Sequence, residues 1–205
     1  TAAKLGETTS VSESTVVRFA AQLGYDGYPD MQKALQELIR GRLPSIQRIQ
    51  VSRDQMTGSD ILGSVMQRDM NGIHDVIERL DRVEFERVVD KLLHAKHIYI
   101  LGVRSSSFLA GYLNFYLHLI FKNVTLVQSS AAGEIYEQLV HIGPGDVLVS
   151  ISFPRYSKMA IHAVEFARRR GGDVVAVTDS PMSPMYKMAS ASLLASSDMI
   201  SFVDS

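Results

Sequence analysis

Residues 97–107 read HIYILGVRSSS: a short run that is apolar almost throughout, then a glycine and, two residues later, an arginine and three serines. Four more apolar runs follow that of residues 97–101: VTLVQ (124–128), DVLVSI (146–151), DVVAV (173–177) and ASLLA (191–195). Helical patterns lie between the runs, near residues 106–121, 131–141, 156–170 and 183–189. Strands without a polar face, separated by helices, are typical of a parallel sheet covered on both faces. The sequence therefore predicts an α/β fold with an open, doubly wound, mainly parallel five-stranded sheet.

The pattern upstream of this sheet is wholly helical. In residues 1–42, apolar residues recur at helical spacing, Ser12 stands at a helix start, Gly24 at a helix end and Pro29 in the first turn of a third helix. Residues 43–58 are polar and aperiodic, which predicts a linker. Residues 59–205 form the predicted α/β domain, which opens with two helices capped by Ser59 and Asp81.

Composition limits the classes of protein that this chain can represent. With 205 residues, 46% of them hydrophobic, the chain can bury the core of one or two domains. A net charge of −1 indicates neither a nucleic-acid nor a membrane partner. No apolar run approaches the ~18 residues of a membrane span. The absence of cysteine excludes disulfides and thiolate metal sites and favours a cytoplasmic location. Because the sequence begins at Thr1 inside a helical pattern and ends with SFVDS, we expect further residues beyond both ends.

The first two helices have the dimensions of a helix-turn-helix motif. They cover residues 1–9 and 12–23 and are separated by a break at residues 10–11. The second helix of such a motif places its N-terminal residues in the major groove of DNA, where hydroxyls and arginine contact phosphates or base edges. Serines at a helix start also occur simply as caps, so this pattern alone does not distinguish a DNA-binding helix from an ordinary capped one. The candidate DNA-binding residues are Ser12, Glu13, Ser14, Thr15 and Arg18, with Tyr25, Tyr28 and Lys33 as further phosphate contacts.

Hydroxyl-rich stretches follow four of the predicted strands. Backbone N–H groups at a helix start, serine hydroxyls and a guanidinium fork together hold a phosphate or a carboxylate. Because the carboxyl ends of parallel strands share one edge of the sheet, the pattern predicts a site for a small anion there. The stretches are LGVRSSS (101–107), QSSAAGE (128–134), SISFPRYSK (150–158) and TDSPMSP (178–184).

Both parts of the chain resemble one family. SVSESTVVRFAAQLGYDGYPDMQKAL (10–35) is similar to the helix-turn-helix of the RpiR family of bacterial transcription regulators, through the spacing of Thr15, Arg18 and Phe19 and the Leu-Gly-Tyr that follows at residues 23–25. The strand-end stretches, over roughly residues 85–200, resemble the SIS (sugar isomerase) domain that this family carries behind its helix-turn-helix. The first helices of the family's DNA-binding domain would precede Thr1, so residues 1–42 correspond to its C-terminal part.

The resemblance implies roles for individual residues. In SIS domains the loops after the first and third strands bind the phosphate of a phosphosugar. This chain departs from the family where Arg104 replaces a common glycine and where residues 153–156, FPRY, replace a Ser-Gly segment. These departures add positive charge, so a sugar acid or another phosphometabolite stays open beside a phosphosugar. The implied effector-binding residues are Arg104, Ser105, Ser106, Ser107, Ser152, Arg155, Tyr156 and Ser157, with Thr178 and Ser183 at the rim.

Together the two motifs predict a one-component regulator whose partners are operator DNA and a small anionic metabolite. We expect a homodimer or a tetramer, no membrane partner, no cofactor, no metal and no catalytic residues. Two other functions stay open. The α/β domain would be a sugar-phosphate aldose–ketose isomerase if Glu134, Glu137 or His141 served as the base. It would be an assembly module if its pocket bound nothing.

Overall fold

The computed structural model describes residues 1–40, 60–128 and 132–195. The chain divides into two compact units, Thr1–Arg48 and Ile49–Ser205. The predicted linker at 43–58, the predicted cap Ser59 and the serines at 129 and 130 lie outside the described residues. The domain limits drawn from the sequence, at residues 42 and 59, therefore stay predictions.

The N-terminal unit contains three helices: α1 (Ala2–Thr9), α2 (Glu13–Gln22) and α3 (Tyr28–Arg40). Ser12 caps α2 as predicted, since its hydroxyl accepts a hydrogen bond from the N–H of Thr15 (3.3 Å). Ser10 ends α1 in the left-handed conformation, and a Cβ placed on Gly6 would lie 2.7 Å from the carbonyl oxygen of Val11. The turn between the two helices therefore packs against α1 so closely that only glycine fits at position 6.

The C-terminal unit consists of a parallel sheet and the helices around it. Helices α4 (Ile61–Arg79) and α5 (Arg82–Leu93) precede the sheet. The five strands pair in parallel in the order β2-β1-β3-β4-β5, and each begins and ends within one residue of its predicted run. The predicted fold class is confirmed. The remaining elements are β1 (Ile98–Gly102), α6 (Ser106–Ile120), β2 (Val124–Val127), α7 (Ala132–Gln138), β3 (Val147–Ile151), α8 (Lys158–Arg169), β4 (Asp173–Thr178), α9 (Pro184–Met188) and β5 (Ala191–Leu194).

Two apolar clusters cover the two faces of the sheet. On one face, Tyr99 and Leu101 of β1 pack in a cluster with residues of α7, α8 and α9. On the other face, Ile98 and Ile100 pack in a cluster with residues of α5 and α6. Successive side chains of a strand point to opposite faces, so a strand buried on both must be apolar throughout. This requirement explains the runs from which the fold was predicted.

Helix α4 differs from the other long helices because none of its residues is buried. Its N-cap is Asp60 rather than the predicted Ser59: the Asp60 carboxylate accepts a hydrogen bond from the N–H of Gly63 at 2.8 Å. A carboxylate there also interacts favourably with the helix dipole. In the described part of the chain, α4 included, no helix is long and apolar enough to cross a membrane.

Candidate functional site

The strand order creates a crevice at the carboxyl ends of β1 and β3. These strands are neighbours, but the chain leaves β1 through α6 toward β2 and leaves β3 through α8 toward β4, on the opposite side. Helices α6 and α8 also lie on opposite faces of the sheet. The loops that follow β1 and β3 consequently diverge. In open α/β sheets this switch point is the place where ligands bind.

The helices that start at this switch point lack side-chain caps. Ser105 is the N-cap of α6 and Ser157 is the N-cap of α8, and neither side chain makes a capping hydrogen bond. In α8 the N–H of Ile161 donates to the carbonyl of Ser157 (3.0 Å), which leaves three N–H groups ahead of it, those of residues 158–160. In α6 the N–H groups of Ser107 and Phe108 donate to the carbonyls of Arg104 (3.0 Å) and Ser105 (3.2 Å), which leaves that of Ser106. Five other helices are capped by the side chain of their N-cap residue: Thr1, Ser12, Asp60, Asp81 and Ser183.

Several serines at the switch point are enclosed. Ser106 is only 3% exposed, and Ser152, at the end of β3, is 5% exposed. Solvent does not reach Oγ of Ser105, which has no hydrogen-bond partner within the described residues. Ser107 is exposed, and its hydroxyl donates to the carbonyl of Arg104 (2.5 Å). A buried hydroxyl without a partner costs free energy, so the first loop holds a polar group suited to a ligand.

Each loop at the switch point turns at an arginine. Arg104 has φ = 59° and Arg155 has φ = 69°; among described residues other than glycine, only Ser10 also has a positive φ. This left-handed conformation favours glycine and costs about 1 kcal/mol or more for other residues. Arg104 thus keeps a glycine-like backbone at the position where the sequence departs from the family's common glycine.

The predicted rim residues form an internal network rather than an open surface. Thr178 and Ser183 are fully buried, and their hydroxyl oxygens lie 3.0 Å apart. The hydroxyl of Tyr156 donates to Oδ1 of Asp179 at 2.8 Å, and Oγ1 of Thr178 lies 3.1 Å from the same oxygen. Burial raises the pKa of Tyr156 above its ordinary value, and the bond to Asp179 raises it further. Sequence reasoning missed Asp179, although it follows Thr178 directly at the end of β4.

A cavity of about 710 Å³ adjoins the first loop. It extends from the end of β1 and the start of α6 to the end of β2. Met159, in the first turn of α8, also contributes to its wall, so residues at both uncapped helix starts border the same cavity. Its lining residues are Gly102, Val103, Arg104, Ser107, Phe108, Gly111, Leu126, Val127, Gln128 and Met159.

The outer face of α6 is strongly apolar. Phe108, which lines the cavity, is 81% exposed. Aromatic side chains continue along the same helix, where the ring of Tyr116 contacts those of Tyr112 and Phe115. Large contiguous apolar patches on a protein surface mark interaction sites. The exposed apolar residues of α6 are Phe108, Leu109, Tyr112, Phe115, Tyr116, Leu119 and Ile120.

In the N-terminal unit, the start of α2 is exposed from Ser12 to Thr15, and Arg18 is exposed one turn later. Oγ of Ser12 lies 2.9 Å from Oγ of Ser14 and 2.8 Å from Oγ1 of Thr15, so the cap and two candidate DNA contacts form one hydroxyl cluster. Tyr25 and Tyr28 are half-buried, while the side chain of Lys33 lies outside the described part. The arrangement presents hydroxyls and a guanidinium on the exposed face of one helix.

The residues considered for catalysis do not line the cavity. Glu134, Glu137 and His141 are all exposed, and the described lining contains neither a carboxylate nor an imidazole. No group of three or more histidine, aspartate or glutamate side chains in the described ranges has the geometry of a metal site. His94 and His97 have separate partners, since His94 Nδ1 lies 3.1 Å from Asp90 and His97 Nε2 lies 2.8 Å from Thr125.

Each of the two units matches the model of a known domain family. Residues 91–205 match the SIS domain, and residues 1–40 match the helix-turn-helix domain of the rpiR family. An HTH-type transcriptional regulator of Clostridium perfringens is 23% identical over 186 residues, which are 90% of this chain and 66% of that protein. The chain spans about two thirds or less of the length of the curated relatives that it matches.

Two solved structures share the fold. The NanR protein of Vibrio vulnificus, complexed with ManNAc-6P, is 25% identical with a TM-score of 0.61, over 96% of this chain and 68% of that one. The sugar isomerase domain of an RpiR transcription factor from Sphaerobacter thermophilus is 22% identical with a TM-score of 0.64, over 67% of this chain and 76% of that one. The two family matches, in this order along the sequence, show that the chain belongs to the RpiR family of helix-turn-helix transcription regulators with a SIS domain.

Proposed function

We propose that the SIS domain of this regulator binds a small anionic metabolite, a phosphosugar or a sugar acid, and that binding changes the affinity of the protein for operator DNA. The observation that carries the proposal is the pair of uncapped helix starts, α6 and α8, at the switch point. An anion there accepts hydrogen bonds from helix N–H groups and interacts with the positive ends of two helix dipoles. Because its partner is DNA, we also propose a cytoplasmic location.

The side chains around these helix starts suit a phosphate or a carboxylate. Ser105, Ser106 and Ser152 provide enclosed hydroxyls, and the Arg104 guanidinium can bind two anion oxygens at once. The complex of the related NanR protein with ManNAc-6P supports a phosphorylated ligand for this chain too. Tyr156, Thr178 and Ser183 act differently in this proposal: through Asp179 they hold the second loop in place.

Thermal denaturation tests the anion site. The panel is inorganic phosphate, glucose 6-phosphate, gluconate and phenyl phosphate. A ligand at a hundred times its Kd should raise the free energy of unfolding by about 2.7 kcal/mol. We expect at least one anion to stabilise the wild type and to lose that effect in Arg104→Ala. If no anion on the panel stabilises the protein, the domain is an assembly module with an empty pocket.

For the DNA-binding unit, we propose that α2 enters the major groove with Ser14, Thr15 and Arg18 toward the DNA. The test uses a duplex selected by the chain from a random pool, with binding followed by fluorescence anisotropy. If Arg18 contacts a base, Arg18→Ala should weaken binding about tenfold or more. If it contacts a phosphate, the slope of log K against log salt concentration should fall in magnitude by about one. Lys4→Ala, an exposed charge on α1, is the matched control. Equal affinity of Arg18→Ala and wild type would exclude this role of α2.

We propose that a second copy of the chain covers the apolar face of α6. Helix-turn-helix proteins read paired half-sites as dimers, which requires a self-association surface. Leu119→Asp places a charge at a residue that is 72% exposed, so it should leave the fold intact and produce a monomer in sedimentation. Met182→Asp, equally exposed in the loop after β4, is the control and should sediment like the wild type. If Leu119→Asp also sediments like the wild type, the self-association surface lies elsewhere.

The isomerase alternative is disfavoured by the cavity. Isomerisation needs a base within hydrogen-bond reach of the sugar's first two carbons, and the exposed Glu134 and Glu137 do not line the described cavity. The test is exchange of the C2 proton of glucose 6-phosphate with solvent deuterium. We expect no exchange above background. Exchange that disappears in Glu134→Gln would establish the isomerase instead.

A further inference from the structure

We propose that the effector of this regulator carries an apolar substituent, such as an aryl, alkyl or acyl group, next to its anionic group, and that the cavity beside α6 receives this substituent. The inference rests on the proposed anion site and defines the ligand further. It concerns the part of the metabolite that extends from the two helix starts, where the anion lies, into the space between α6 and β2.

The wall of the cavity is mainly apolar. Three elements contribute to it: Phe108 from α6, Leu126 and Val127 from β2, and Met159 from α8. Val103 adds a further apolar residue from the first loop. Among the described lining residues, polar side chains are limited to Arg104, Ser107 and Gln128. A ligand group that fills this space therefore contacts carbon on most sides.

A plain sugar ring does not fit such a wall. Each hydroxyl of a ring that leaves water needs a hydrogen-bond partner, since a buried polar group without one is costly. The Ser107 hydroxyl already donates to the carbonyl of Arg104. The backbone of Gln128 is also engaged, because its N–H donates to Oε1 of Gln138 (3.1 Å) and its carbonyl accepts from Nε2 of Gln138 (2.6 Å). Within the described lining, few groups are therefore left to satisfy a polyhydroxylated body.

Two of the three polar residues in the described lining lie together at the start of α6, and the third, Gln128, follows β2. Arg104 and Ser107 lie at the start of α6, beside the proposed anion site. Phe108 and Gly111 lie further along the helix, and Leu126 belongs to β2. A Cβ placed on Gly111 meets no atom within 4 Å, so the space beside it is open. This order matches a ligand with an acidic end and an apolar end.

Calorimetric titration of the full chain with three phosphates tests the inference: inorganic phosphate, glucose 6-phosphate and phenyl phosphate. We expect phenyl phosphate to bind at least tenfold tighter than either of the others. If inorganic phosphate binds and glucose 6-phosphate binds as tightly as phenyl phosphate or tighter, the inference is wrong while the anion site stands. If none of the three binds, the anion site itself fails, and the inference fails with it.

A pair of variants locates the apolar contact. Phe108→Ser removes an aromatic ring that lines the cavity, whereas Phe85→Ser removes one from α5, outside the described lining and outside the proposed self-association surface. Phe108 is 81% exposed and Phe85 is 45% exposed, so neither change should unfold the protein. We expect Phe108→Ser to lose the preference for phenyl phosphate and to keep its affinity for inorganic phosphate, and Phe85→Ser to bind like the wild type. Equal behaviour of the two variants would overturn the assignment of the cavity.

Discussion

The hydroxyl of Tyr156 donates a hydrogen bond of 2.8 Å to Oδ1 of Asp179, and this bond joins the loop after β3 to the loop after β4. Thr178 lies against the same carboxylate oxygen and connects it to Ser183, at the start of α9. The segment that carries Arg155 is thereby fixed by the chain's own side chains. This tie gives the proposed anion site a rigid second wall before any ligand binds.

Removing the hydroxyl should weaken this tie measurably. We expect Tyr156→Phe to lower the free energy of unfolding by about 1–2 kcal/mol in urea denaturation, because a partly buried bond to a carboxylate is lost. Tyr186→Phe is the control: Tyr186 is 39% exposed and its hydroxyl bonds to nothing in the described ranges, so its change should stay within about 0.5 kcal/mol. If the two variants are equally stable, the hydrogen bond does not stabilise the loops.

The same tyrosine makes stability depend on alkaline pH. Burial and the Asp179 carboxylate raise the pKa of Tyr156 in the folded protein, so the folded state holds the phenolic proton more tightly than the unfolded state. This contribution is complete below the ordinary tyrosine pKa of about 10 and is lost as the pH rises above it. We expect the wild type to lose its stability advantage over Tyr156→Phe above pH ~10. If the difference in free energy of unfolding between the wild type and Tyr156→Phe stays constant above pH ~10, the raised pKa does not belong to Tyr156.

Arg104 combines backbone strain with a proposed role in binding. Since its φ is 59°, Arg104→Gly should relieve the left-handed strain and leave the protein as stable as the wild type or up to about 1 kcal/mol more stable. Arg104→Ala keeps the strain and should not gain stability. Both variants should bind inorganic phosphate at least tenfold more weakly in calorimetry. Unchanged affinity in both would remove Arg104 from the site.

A side chain that fills the cavity should prevent binding of the apolar substituent and leave binding of the anionic group unchanged. A Cβ at Gly111 in α6 or at Gly72 in α4 meets no atom within 4 Å, so a larger side chain has open space at its base at both positions, and leucine gains helix propensity of up to about 1 kcal/mol. We expect Gly111→Leu to lose binding of phenyl phosphate and to retain that of inorganic phosphate. Gly72→Leu, outside the described cavity lining, should bind both like the wild type. Phenyl phosphate binding to Gly111→Leu at wild-type affinity would exclude the cavity as its site.

The fold could be predicted from sequence because its strands are buried on both faces. Residues 98–102 and 147–151 are apolar almost throughout, and helix α8, which follows the second of these strands, buries one apolar face at helical spacing. The caps of α2 and α5 were also predictable, since Ser12 and Asp81 act locally on the next turn. Local signals of this kind depend on a few neighbouring residues, which a sequence shows directly.

The geometry of the site depends on contacts between distant segments, which no local pattern shows. Ser105 and Ser12 are both serines at helix starts, yet only Ser12 caps its helix. The left-handed conformation of Arg104 has no signature in an arginine itself. The apolar stripe of α4 predicts a packed helix, but a stripe does not tell whether its own chain covers it, and here none of its residues is buried.

The central claim, that α6 and α8 together hold one anion, is tested most directly by nuclear magnetic resonance of backbone amides during a titration with inorganic phosphate. The amides of Ser106, Lys158 and Met159 at the two uncapped starts should shift together with a single Kd. The amide of Glu84, which donates to the capping carboxylate of Asp81 at the start of α5, should not move. Shifts at only one of the two starts, two different Kd values, or shifts no larger than that of Glu84 would contradict a shared anion site.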